Sequence, residues 1–243
     1  MMLRVLPWSG VAMELGRVLA TAGAQVISGL ALGIDVAAHQ GAVLAGGTTF
    51  AVLAGGVDLC YPKQNFNTYV DIMRNGGVIS EFPDNTLTRP GMFPLRNRII
   101  SGLCDAVIIV EAGMKSGSLI TAAQALEQNR QVYAVPGRIG DGNSEGCNHL
   151  IWQGAQIVCS YDDLLAELDL DISDSTKTNE KNILLASDEK MLYSQLLDFS
   201  PKSLETLIKE TGMSQMQVFQ ALLTLELKGL IKEISKNFYI RIL

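Results

Sequence analysis

Short apolar runs alternate with stretches whose apolar positions recur every three or four residues, and the alternation continues to residue 168. The short runs predict strands and the longer periodic stretches predict helices. Strands are predicted at Gln25–Ser28, Thr48–Leu53, Gly77–Glu81, Ala106–Val110, Gln131–Val135 and Gln156–Cys159. Helices are predicted at Val11–Ala22, Ile34–Ala45, Asn65–Asn75, Pro94–Leu103, Ser118–Gln128, Asn148–Gln153 and Tyr161–Leu168. This order implies an α/β domain with a doubly wound, mostly parallel sheet covered by helices on both faces. The start of the chain departs from that plan. Met1–Gly10 runs almost directly into the first helix without a full strand, where a doubly wound domain normally opens with one. Either the sheet starts elsewhere or its first strand is lost, which would leave neighbouring strands with exposed edges.

The pattern breaks at about Asp169. Residues 169–185 are polar and read as a linker. Residues 186–243 then form a second, smaller domain. Helices are expected at Asp188–Leu197 and Ser203–Glu210, with a turn at Thr211-Gly212. A third helix, from an N-cap at Ser214 to Lys228, ends before Gly229. Leu230–Ile234 and Phe238–Ile242 read as a hairpin, so the tail has the outline of a winged helix.

Composition adds limits. The 243 residues are 48% hydrophobic and 18% charged, with a net charge of −6. That balance argues against long, nonspecific duplex binding but leaves room for a local positive pocket. Cys60, Cys104, Cys147 and Cys159 show no metal-ligand spacing, and Cys147 alone sits in a polar loop. The sequence shows no signal peptide and no apolar run near the roughly 20 residues that span a bilayer, so a reducing cytoplasm is expected.

Candidate chemistry concentrates in residues 93–121. Arg96-Asn97-Arg98 precedes a predicted strand, and Lys115-Ser116-Gly117-Ser118 follows it and opens a helix. A Ser-Gly-Ser helix start leaves backbone N–H groups for an anion, and loops at the carboxyl ends of parallel strands form the ligand crevice. Two more Gly-rich turns follow strands, at Ser28–Gly33 and Ala54–Gly56, and let a backbone approach a ligand closely. Together they point to a phosphate-lined crevice. Lys63, Arg89, Arg96, Arg98 and Lys115 are its candidate cations. On a helix Arg96 and Arg98 point about 200° apart, so one can face a ligand while the other anchors the fold. His39 could serve as a general base, but no Ser or Cys nucleophile signature accompanies it, so a structural hydrogen bond from Asp35 or His39 is the better expectation. Glu81 and Glu111 end strands. No GxGxxG, Walker A or HExxH pattern is present, so the case for catalysis is thin.

Taken in order, these segments resemble the DNA-processing protein A family, DprA or Smf. The matching motifs are SGLALGIDVAAH at 28–39, YPK at 61–63, ISEFP at 79–83 and FPLRNRIISGL at 93–103. They continue with VIIVEAGMKSGSLITAAQALEQNRQVYAVPG at 107–137 and GCNHLIWQGA at 146–155. The resemblance covers nearly all of residues 10–168, and LLTLELKGLIKEISKNFYI at 222–240 resembles the family's winged-helix domain. It implies an extended Rossmann-like fold that binds single-stranded DNA without catalytic turnover and without a cofactor or metal. It also implies that the protein protects incoming DNA, loads the RecA recombinase in natural transformation, and acts as a dimer. The family's positive pocket would map onto Arg4, Ser28, Gly29, Lys63, Arg96, Asn97 and Lys115 to Ser118. One departure stands out: Met2-Leu3 replaces the family's Gly-Ser before Arg4, which puts that arm of the pocket in doubt.

Two other classes compete. A nucleotide-processing enzyme of the lysine-decarboxylase-like group would use Glu127 as its nearest catalytic carboxylate, but the Pro-Gly-Gly turn of that group is missing. A transcriptional regulator would read DNA with the third helix of the tail, which offers Gln215, Gln217, Gln220 and Lys228 but no Arg. Residues 186–243 balance 7 Lys+Arg against 7 Asp+Glu. That is poor equipment for major-groove reading, so contact with a partner is the better expectation for the tail.

Overall fold

The computed structural model describes residues 7–170, 186–196, 202–228, 230–235 and 237–241. The chain divides between Lys177 and Thr178 into two compact units. Residues 171–185 of the predicted linker, and Arg4 with the rest of residues 1–6, lie outside the described residues.

The first unit alternates helix and strand throughout: α1 (Pro7–Thr21), β1 (Val26–Ser28), α2 (Ile34–Leu44), β2 (Thr49–Leu53), α3 (Phe66–Asn75), β3 (Gly76–Ser80), α4 (Met92–Leu103), β4 (Ala106–Ile109), α5 (Gly117–Glu127), β5 (Gln131–Ala134), α6 (Glu145–Trp152), β6 (Gln156–Ile157) and α7 (Tyr161–Glu167). Every strand pairing in this unit is parallel. Parallel strands are covered on both faces and read as continuous apolar runs. β2, Thr-Phe-Ala-Val-Leu, is such a run, with Ala51 and Val52 fully buried.

The strands hydrogen-bond in two groups, β1-β2-β3 and β4-β5-β6, and no pairing joins β1 to β4 among the described residues. Side chains unite the groups instead. Ala12 and Leu15 of α1 and Ala37 of α2 share one core with Val110, Tyr133, Val135 and Leu164. Strand order thus runs outward from β1 in one direction and from β4 in the other. That reversal is the switch point at which doubly wound sheets place their ligands, beyond the carboxyl ends of the strands. Trp8, at the start of α1, lies against Gly137 just after β5, so this helix begins at the same end of the sheet.

The second unit comprises α8 (Ser187–Gln195), β7 (Lys202–Ser203), α9 (Leu204–Thr211), α10 (Gln215–Leu227), β8 (Ile231–Ser235) and β9 (Phe238–Arg241). Its sheet has three antiparallel strands in the order β7-β9-β8. The added strand, β7, is two residues long and too short to leave a period in the sequence. Gly212 ends α9 in the left-handed region, at φ 67°, where a side chain would be strained. Ser214 caps α10 in a reciprocal capping box with Gln217. Leu192, Leu207, Val218, Leu222 and Leu225 form the centre of this unit's core. Three helices and a hairpin wing make it a winged helix.

Candidate functional site

The loop after β1 is built by three side chains from outside it. The carboxylate of Asp35, in the first turn of α2, accepts from the N–H groups of Gly29 (3.0 Å) and Ala31 (3.1 Å). Asn65 donates its side-chain amide to the carbonyl of Leu30 at 2.8 Å. Arg96, reaching in from α4, donates Nη1 to the carbonyl of Gly29 at 2.7 Å and also to the carbonyl of Val52. Gly29 is thereby held through both its N–H and its C=O.

Arg96 is only 5% exposed. Burial pulls its guanidinium below the ordinary arginine range, and Asp35 counters that pull. Its Nε donates to the Asn97 side chain at 3.1 Å, and its Cζ lies 5.9 Å from the centre of the Phe93 ring. The guanidinium presses on Gly29 so closely that a Cβ there would sit 2.4 Å from Nη2. Arg96 is therefore a buried strut under the loop rather than an exposed cationic arm. Arg98, on the opposite side of α4, is exposed and paired with Glu81. The two arginines divide as their helical offset requires, with Arg96 as the anchor.

Lys63 is exposed in a short 3-10 turn, Lys63–Asn65, beside the Asn65 that holds the loop after β1. Tyr61, just ahead of it, is half exposed, and its ring centre is 6.2 Å from that of Phe93. Lys63, Tyr61, Phe93, Arg96, Asn97, Ser28 and Gly29 thus share one neighbourhood at the carboxyl ends of β1 and β2. The aromatic pair is missing from the sequence reading. Its signal was a tyrosine beside a candidate cation, but the phenylalanine that meets it is far away in sequence.

Lys115 to Ser118 lie on the other side of the switch point, after β4. Ser116 caps α5, its side chain accepting from the Ser118 N–H at 3.3 Å. The Gly117 N–H has no partner among the described residues, and a Cβ at Gly117 would meet nothing within 4 Å. Lys115 is exposed and makes no ion pair among the described residues. This segment borders a hollow of about 410 Å³ lined by Glu111, Ala112, Gly113, Lys115, Ser116 and Asn143. Asn143 donates to the Glu111 carboxylate at 2.7 Å. α4 and α5 pack together, with Gln124 of α5 donating to the carbonyl of Pro94 at 3.1 Å. That contact couples the helix carrying Arg96 to the helix that Lys115 precedes. Arg89 is exposed on the loop after β3, where it borders a separate hollow of about 530 Å³.

His39 is fully buried and donates Nδ1–H to the Thr49 hydroxyl at 2.7 Å, which in turn donates to the carbonyl of Val26. Its Nε2 is buried without a partner. Burial lowers its pKa from 6.5 to about 4, with Asp35 raising it and Arg96 lowering it further. A neutral imidazole sealed in the core holds strands and serves no exposed chemistry. Among the described residues no group of His, Cys, Asp and Glu is placed to hold a metal, and no helix is long and apolar enough to cross a membrane.

Comparison with known proteins agrees with this geometry. The family described as DNA recombination-mediator protein A matches residues 9–169, and the DprA winged helix domain matches residues 177–235. The chain is 49% identical over 144 residues to the DNA processing protein DprA of Streptococcus pneumoniae, covering 59% of this chain and 51% of that protein. It is 36% identical over 228 residues to protein Smf of Escherichia coli, covering 90% of this chain and 60% of that protein. The chain thus spans about half to three fifths of the length of these relatives. The X-ray structure of the Streptococcus pneumoniae protein superposes with a TM-score of 0.61 at 42% identity, covering 68% of this chain and 58% of that one. A Helicobacter pylori DNA processing protein A, whose structure is described by its single-stranded DNA binding mode, superposes with a TM-score of 0.63 at 32% identity. That match covers 69% of this chain and 78% of the other. An α/β unit with its crevice at the switch point, a winged-helix unit, and these matches over both lead to one conclusion: the chain belongs to the DNA-processing protein A (DprA/Smf) family.

Proposed function

We propose that this protein binds single-stranded DNA along the crevice at the carboxyl ends of β1, β2 and β4, protects incoming DNA there, and loads the RecA recombinase onto it. It does so in the cytoplasm, as a homodimer and without catalytic turnover. The observation that carries this reading is the pairing of exposed, uncommitted cations with an aromatic edge. Lys63 and Lys115 flank the switch point, and the Tyr61–Phe93 pair lies beside Lys63. Single-strand binders combine cations that track phosphates with rings on which bases stack. A net charge of −6 fits a short cationic track and disfavours a broad duplex-binding face. The Helicobacter pylori relative supports the same substrate. The homodimer draws support from β6, the outer strand of its group among the described residues, where Ile157 is exposed, and from Trp152 of α6, which is 81% exposed. Apolar groups beside an open strand edge invite a second copy.

The nucleotide-processing alternative needs a carboxylate near the bound phosphate. Glu127 is the last residue of α5, about 15 Å along the helix axis from Gly117 at its start. It is too far to act on an anion held there.

The test is a gel shift with purified protein on oligo-dT and on duplex of equal length. Strong binding to the single strand, weak binding to duplex, and a loss in both Lys63→Ala and Lys115→Ala are expected. Equal affinity for duplex, or full binding by both variants, overturns the proposal.

A further inference from the structure

The third helix of the winged-helix unit is apolar on two sides. One side of α10 is its core face, with Val218, Ala221, Leu222 and Leu225 buried. The other is a stripe of Met216, Phe219, Leu223 and Leu227, at intervals of three or four residues, with exposures of 70%, 53%, 52% and 81%. A helix apolar on both sides is normally covered on both. In a DNA-reading winged helix this helix enters the major groove and presents polar and cationic side chains. Here it presents hydrocarbon and a thioether.

The chemistry around the stripe selects its occupant. Gln215, Gln217, Gln220 and Thr224 are neutral. The two charged residues toward the helix end are engaged within the unit: Lys228 donates to the Glu189 carboxylate at 2.6 Å, and the Glu226 carboxylate accepts the Glu233 N–H at 3.2 Å. A surface without free charge has nothing to steer an acidic or basic partner, and two copies of it do not repel. The stripe is also close to palindromic. Phe219 and Leu223 lie on either side of residue 221, and Met216 and Leu227 lie at nearly equal distances beyond them. An antiparallel, two-fold meeting of identical helices therefore puts Phe219 near Leu223 at the centre, and Met216 near Leu227 at each end.

We propose that the exposed face of α10 is a homotypic contact, occupied by α10 of a second copy of this chain in antiparallel orientation. Four side chains at these exposures offer on the order of 400 Å² per copy, about half of the roughly 800 Å² per partner in a stable interface. The contact is accordingly weak between free chains and strengthens when copies are already held close, because tethering raises their effective concentration. It is independent of the crevice in the first unit, and its test is independent of DNA binding.

The experiment places the photo-crosslinker p-benzoylphenylalanine at Leu223 in the full chain. Copies grown in ordinary and heavy nitrogen are mixed, irradiated and digested. Crosslinks that join ordinary to heavy peptides, both from residues 213–228, are the expected result. Adding Phe219→Glu places a charge in the contact and is expected to lower the yield at least about tenfold. Crosslinks confined to single chains, crosslinks to another element, or no crosslink at all would overturn the proposal. An unchanged yield with Phe219→Glu would do the same.

Discussion

The Arg96 guanidinium lies directly on Gly29, with Nη1 2.7 Å from the Gly29 carbonyl and no room between them for even a methyl group. Gly29→Ala is therefore expected to lower stability by about 1–3 kcal/mol through overpacking. Arg96→Ala removes a charged donor from two carbonyls, those of Gly29 and Val52, and costs about 2–4 kcal/mol. Because both variants disturb one contact, the double variant is expected to lose less than the sum of the two. Urea denaturation of the four proteins checks this, and strict additivity would refute the strut.

Lys63 and Lys115 are exposed and unpaired among the described residues, so truncating them is expected to leave the melting temperature within a degree or two. On the proposed function, their loss is expected to appear in DNA binding instead. Each removed phosphate contact flattens the log–log salt dependence on a single strand by about 0.7. An affinity loss with an unchanged slope would mean that these lysines do not touch phosphate.

Tyr61→Leu tests the aromatic edge. Base stacking is worth about 1–3 kcal/mol per base, so a roughly tenfold or greater loss of affinity for oligo-dT is expected, with the salt slope unchanged. An abasic strand of the same length should bind wild type and variant alike. A variant equally weakened on the abasic strand would show that Tyr61 acts through the fold and not through a base.

His39 makes stability depend on pH. In the folded chain it stays neutral until pH falls to about 4, whereas in the unfolded chain it takes up its proton near 6.5. Stability is therefore complete above pH 6.5 and declines as pH falls toward 4, by on the order of 2 kcal/mol at pH 5. Denaturant titrations at pH 7 and pH 5 measure the decline, and His39→Asn is expected to flatten it. Equal slopes in the two proteins would assign the pH dependence to other groups.

The element order of the first unit was legible because each strand is short and apolar and each helix keeps its period. Boundaries shifted where local chemistry overrides period. α4 starts at Met92, since Pro94 fits within the first turn. α6 starts at Glu145, three residues before its periodic stretch. The roles of cations were less legible. Arg96 and Lys63 look alike as letters, and only the fold shows that one is buried on two carbonyls while the other stands in water. The turn at Ser28–Gly33 likewise looked open to a ligand. A carboxylate four residues beyond Ala31 in fact claims two of its N–H groups.

The burial of Arg96 also bears on how this crevice is counted. Mobile ions screen a charge at the surface far more than one sealed beneath a loop. In the proposed complex Lys63 and Lys115 release counterions as they meet phosphates, and a salt titration registers them. The buried Arg96 charge is opposed by the Asp35 carboxylate that holds the same loop, so the pair adds little net potential to the crevice at any ionic strength. The attraction proposed for DNA therefore rests on the exposed cations, and a salt titration counts them.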